Sequence, residues 1–115
     1  MEKTGEDWCE MDELLRILKE IGLPFAYHHY AEGEAVEPPF ICYLMPGSSN
    51  FSADGKVYHK INEVHIELYT DYKDLAVEQQ VEDVLDKYGI FYNKSEVWIE
   101  SEKLYEVVYS FEMSM

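Results

Sequence analysis

The run Glu63-Val64-His65-Ile66-Glu67-Leu68-Tyr69 decides how this chain is read. Val64, Ile66 and Leu68 alternate with Glu63, His65 and Glu67. In an extended chain a two-residue period puts the aliphatic side chains on one face and the polar ones on the other. Such a strand is half-buried, with a second layer against one face only. Strand character reaches back to Tyr58, so the predicted strand runs from Tyr58 to Tyr69.

Downstream, Thr70 or Asp71 is placed to cap a helix with the apolar stripe Val77, Val81, Val84, Leu85 and Tyr88. Asp71 and Asp74 at its start and Lys87 at its end suit the helix dipole, and Gly89 stops it. Two strands follow, at about Glu96–Glu100 and Leu104–Met113, with Ser101-Glu102-Lys103 as a hairpin turn between them. In the last strand Tyr105, Val107, Tyr109, Phe111 and Met113 share one face.

Upstream, Trp8, Met11, Leu14, Leu15, Leu18 and Ile21 recur at helical spacing. Thr4 or Asp7 is the expected N-cap, Gly22 a ready C-terminal stop, and Pro24 prevents continuation. Phe25–Tyr30 reads as a strand, Ala31–Pro39 as an acidic linker, and the unbroken apolar run Phe40–Met45 as a strand covered on both faces. Pro46–Lys56 is expected as a long polar loop that carries one aromatic, Phe51. The order is α-β-β-(long loop)-β-α-β-β. It predicts an α+β fold: one domain over 1–115, two amphipathic helices on one face of a mostly antiparallel sheet, and a protruding loop or hairpin arm around 46–60.

The chain has 115 residues, 24 acidic and 9 basic, for a net charge of −15. With 47% hydrophobic and 15% aromatic residues it is far too apolar for a disordered acidic tail. The charge argues against nucleic-acid phosphates and anionic membranes as direct ligands, since both require cations at the surface. Cys9 and Cys42 lack the close spacing of a zinc or redox motif, and two reduced thiols are expected. The acidic stretch 1–7 has no apolar core, and no apolar run approaches the roughly 18 residues of a membrane span. The expectation is a soluble protein, intracellular when made.

Little in the sequence carries chemistry. His28 and His29 are adjacent, and on a strand they would face opposite ways and could not chelate one ion. His59 and His65 could meet either of them only across a sheet. Glu63 with Glu67, or Asp71 with Asp74, could be proposed as catalytic pairs, but outward alternation and helix capping already explain them. The glycines are scattered, with no phosphate-binding loop. No enzyme, metal or cofactor is expected. Ten tyrosines against five phenylalanines suit surfaces that are dry in an assembly and wet outside it.

Several segments in order carry a resemblance. They are Gly22-Leu23-Pro24 after the first helix, Pro39-Phe40-Ile41-Cys42-Tyr43, Asn50-Phe51-Ser52-Ala53-Asp54, and Glu67-Leu68-Tyr69-Thr70-Asp71 with Lys73-Asp74. The series closes with Trp98 to Tyr105 and Tyr109-Ser110-Phe111-Glu112. Together they resemble the small tail-completion or head–tail joining proteins of long-tailed bacteriophages and prophages. The resemblance implies an α+β virion protein that forms a homo-oligomeric, hexameric ring at the tail end or head–tail junction. Its partners would be its own copies, tail-tube protein and head–tail connector proteins. Assembly contacts are expected at Asn50, Phe51, Asp54 and Tyr58. A rival reading is an acidic inhibitor that imitates DNA, of the anti-restriction type. It is less favoured because the acids are spread along the chain, residues 61–88 being richest with eight acids and two bases.

Overall fold

The alternating run forms the longest strand of the molecule. The computed structural model describes residues 9–29, 36–53 and 56–114. Its elements are α1 (Cys9–Ile21), β1 (Phe25–Tyr27), β2 (Phe40–Ala53), β3 (Lys56–Thr70), α2 (Leu75–Lys87), β4 (Asn93–Ile99) and β5 (Leu104–Ser114). The strands form one sheet in the order β1-β2-β3-β5-β4. The β2–β3, β3–β5 and β4–β5 pairs are antiparallel, and β1 lies parallel to β2. The fold is therefore α+β with a mixed sheet. A parallel pair needs a crossover connection, so β1 and β2 are not joined by a tight hairpin.

Period and burial agree. Val64, Ile66 and Leu68 of β3 lie opposite Phe111, Tyr109 and Val107 of β5, and all six are buried. They join Leu14, Ile17, Leu18 and Ile21 of α1, Val81, Val84 and Leu85 of α2, and Ile41 of β2 in a single core. One face of the sheet thus packs on both helices. Ile17 belongs to the α1 stripe as fully as the apolar positions expected there. The helices are also tied to each other at their ends: Gln80 Nε2 donates to the Ile21 carbonyl and the Tyr88 hydroxyl to Glu20, which also pairs with Lys87. Gly22 follows α1 at φ +88°, the left-handed conformation that ends a helix cheaply only with glycine.

Four expectations change. Residues 46–53 and 56–57 are strand rather than loop: β2 and β3 pair as far as Ala53 opposite Lys56. Pro46 is accommodated because the register shifts between Leu44 and Gly47, a bulge at which the missing N–H breaks no regular ladder bond. Helix α2 is capped by Asp74, whose carboxylate accepts from the Val77 amide at 3.2 Å. Thr70 instead stays in β3, and Asp71 lies between the two elements. In β2, burial is full only at Ile41 and Cys42, while Tyr43, Leu44 and Met45 are half-buried. Finally, β1 ends at Tyr27, so His28 and His29 are not strand residues. The expected N-caps Thr4 and Asp7, and Tyr30 to Ala35, lie outside the described residues.

Candidate assembly surface

The sequence singles out three features: the segment around 46–60, the polar face of the central strand, and the histidines. The first is a β-ribbon. Among the described residues, 61–70 of β3 pair with β5 while 56–60 pair only with β2, and β1 covers only Ile41–Tyr43 of β2. The two strands therefore continue beyond their outer neighbours. A second bulge lies between Phe51 and Ser52, opposite His59 and Val57, so Tyr58 is the extra residue on β3. Among the expected contact residues, Asn50 is registered with Lys60, Phe51 with His59, and Tyr58 sits at this bulge. Asp54 lies outside the described residues. The body is elongated, 49 × 33 × 28 Å, with a radius of gyration of 15.6 Å. A compact chain of this length has about 13 Å.

The second surface is the face of the sheet opposite the helices. On β3 it carries Glu63, His65, Glu67 and Tyr69, and on β5 their partners Glu112, Ser110, Val108 and Glu106. Tyr69 donates its hydroxyl toward Glu67 at 3.0 Å and toward Glu106 at 2.9 Å. One hydroxyl proton cannot serve two ionised carboxylates at once. Burial raises Glu67 above the usual carboxylate range and Glu106 adds to this, against the opposing Tyr69 hydrogen bond. Burial, then the two carboxylates, likewise push the Tyr69 hydroxyl strongly up. Cys42, registered with Glu67, is a free thiol only 5% exposed, and burial pushes it up to about 11. It is a poor nucleophile in this state. Phe40 stacks on Tyr69 at 5.1 Å.

The helix-covered side treats its acids differently. Glu78 of α2 is 2% exposed, with Lys73 at 2.7 Å and Lys94 at 2.9 Å. Burial alone would raise its carboxyl, but the two ammonium groups hold it below the usual range. Lys94 also reaches Glu82 at 2.6 Å, and Glu82 accepts from the Tyr109 hydroxyl at 2.9 Å. Lys73 pairs in addition with Glu96. This network ties α2 to the edge strand β4.

A positive φ of 69° at His28 turns the chain just beyond β1 and brings its Nδ1 to 2.8 Å from Nδ1 of His29. The expected opposite orientation is thus corrected, and at that distance one ring donates to the other. His65 pairs with Glu63 at 2.9 Å, and its register neighbours are Leu44 and Ser110. Among the described residues no group of three or more His, Cys, Asp or Glu side chains is placed to hold a metal ion. A cleft of about 540 Å³ opens where the chain enters β4, between Phe91, Asn93 and the Glu63–Glu112 pair. Phe91 at its rim is 89% exposed. No helix among the described residues is long and apolar enough to cross a membrane.

Glu106 and Tyr69 escaped the reading of the sequence. A register counted back from the turn at 101–103 would have placed Glu106 opposite Tyr69, but only if β3 and β5 were known to be neighbours. Compared with known proteins, the chain matches no protein-family model and no curated protein.

Proposed function

We propose that this protein is a structural component of a bacteriophage or prophage virion that assembles as a ring at the tail end or head–tail junction. There it completes the tail and joins it to the capsid. The observation that carries the reading is the β2–β3 ribbon, which runs past β1 and β5 with edges that pair with no further strand among the described residues. Unpaired strand edges are templates for pairing with another chain, and a projecting ribbon offers them away from the body. The ordered series of sequence segments described above supplies the virion context. In this reading the ring's partners are its own copies, tail-tube protein and connector proteins. Both helices serve as the buttress of the sheet. The proposed role is mechanical and not catalytic.

The DNA-mimic alternative has less support. Glu20, Glu78, Glu82, Glu96 and Glu100 are each bonded to a lysine of the same chain, which lowers the charge they present. A Phe51→Asp variant tests the ring. The expected outcome is a protein with native circular dichroism that no longer self-associates in sedimentation velocity and no longer enters tails. A wild-type chain that stays monomeric at all concentrations, is missing from purified virions and is dispensable for intact tails would overturn the reading. Displacement of DNA from a DNA-binding enzyme at low salt would favour the mimic.

A further inference from the structure

We propose that the helix-free face of the sheet, where Glu67 and Glu106 converge on the Tyr69 hydroxyl, receives the β2–β3 ribbon of a second copy of this chain through Lys56 and Lys60. The proposal rests on the self-assembly reading above and adds to it the surface that takes the ribbon.

Charge is the first argument. Residues 46–60 hold Lys56, Lys60 and one acid, Asp54, for a net charge of +1. The rest of a chain of net charge −15 therefore carries −16. The ribbon is a weakly basic extension of a strongly acidic body. Four lysines of the body are committed within the chain: Lys73 to Glu78 and Glu96, Lys87 to Glu20, Lys94 to Glu78 and Glu82, and Lys103 to Glu100. None of these pairs involves the helix-free face. Among the residues whose side chains are described, no lysine or arginine forms an ion pair with Glu63, Glu67, Glu106 or Glu112.

The second argument is the unmet demand at that spot. Glu67 and Glu106 both point their carboxylates at one hydroxyl, at 3.0 and 2.9 Å. Glu63 and Glu112 are also directly opposite each other on the same face, a like-charge pair that disfavours the isolated sheet. An ammonium group supplies three donors and a positive charge, which meets both carboxylates together.

The third argument decides between the chain's own ribbon and another's. Lys56 and Lys60 lie on the same continuous strand as Glu67. At about 3.3 Å per residue they stand roughly 36 and 23 Å from it along β3. The ribbon cannot fold back over Glu67 without breaking the ladder it belongs to, so the cation must come from another copy. Ribbon and receiving face are different surfaces, which makes the contact head-to-tail. A head-to-tail contact is the kind that builds a ring, provided that the rotation it repeats closes.

Charge exchange tests this in solution. K56E/K60E and E67K/E106K should each weaken self-association at least tenfold at physiological salt, read by sedimentation velocity. An equimolar mixture of the two should assemble, since each ribbon then meets a face of opposite sign. The four-fold variant carrying both changes should assemble alone. Circular dichroism checks that each variant is folded. If E67K/E106K does not fold, E67Q/E106Q should still weaken association severalfold and flatten its dependence on salt. Folded variants whose mixture stays dissociated while the wild type assembles would overturn the ribbon–face contact and leave the ring reading standing. So would wild-type assembly that survives ribbon reversal but not face reversal, because the face would then take another part of the second copy. A wild type that never assembles would remove both readings.

Discussion

Glu78 lies under α2 between the ammonium groups of Lys73 and Lys94, whereas Glu67, on the other face of the same sheet, shares one tyrosine hydroxyl with Glu106. The first carboxyl is held below its ordinary range and the second above it. Both are acids in an acidic chain, and the difference lies in what surrounds them. On the covered face the chain supplies its own counter-charges, so the acid helps to fix helix to sheet. On the helix-free face a second acid stands where a cation would be expected. A surface whose electrostatics improve when something basic arrives is suited to assembly, and one already neutralised is suited to stability.

The largest expected effect is on the covered face. Leu68→Ala should cost about 2–5 kcal/mol in urea unfolding, the usual range for a leucine in a closed core. Val108→Ala, on the opposite face and half-exposed, should cost no more than about 1 kcal/mol. Equal losses at the two sites would mean that both faces are covered and would break the comparison.

Next is Glu78→Gln, which leaves two ammonium groups beside a neutral amide. It should destabilise by about 1–3 kcal/mol at pH 7. Because Glu78 is depressed in the folded state, its contribution is present above the unfolded carboxylate value and lost as pH falls through the folded one. Wild type and variant should therefore converge in acid. Divergence that persists there would show that shape, and not charge, holds the site.

Glu67→Gln should act with the opposite sign. Its carboxyl is raised in the folded state, so ionisation costs stability above that value and the cost disappears as pH falls to the unfolded value. The amide can also donate to Glu106. A gain of a few tenths of a kcal/mol to about 1 kcal/mol is expected at neutral pH, fading in acid. A loss of stability would mean that the two carboxylates are already satisfied within one chain. The smallest effect is chemical: Cys42, buried and pushed up to about 11, should react with iodoacetamide at pH 8 far more slowly than the same thiol in urea. Fast native labelling would show that the helix-free face opens at β2.

The covered side was legible in the sequence because burial imposes periodicity. Val64, Ile66 and Leu68, the face running from Tyr105 to Met113, and the α2 stripe all repeat with the geometry of their elements. Gly22 and Gly89 mark helix ends and both have positive φ. Pro46-Gly47-Ser48-Ser49-Asn50 was not legible as strand, because its residue types disfavour sheet and only the partner strand makes it extended. The bulge beside Pro46 is a tertiary adjustment with no local signature. The start of α2 was missed by one turn, since Thr70, Asp71 and Asp74 are all competent caps and β3 keeps the first of them in its ladder. The Glu67–Tyr69–Glu106 group depends on which strands are neighbours, and no local pattern encodes that. Asn50, Phe51 and Tyr58 fall on the ribbon, but as strand positions and not as loop tips.

The central strand also has a mechanical consequence. Residues 61–70 of β3 are bonded to β5 on one side, and all but a few of them to β2 on the other. Antiparallel ladder bonds lie across the strand axis. A pull on the ribbon along that axis therefore strains many bonds in parallel and must shear both ladders together, whereas a pull across it would open the ribbon one bond at a time. Tension entering at Lys56 is passed along β3 into the centre of the sheet, where two helices back it. The molecule is stiff along the direction of its arm.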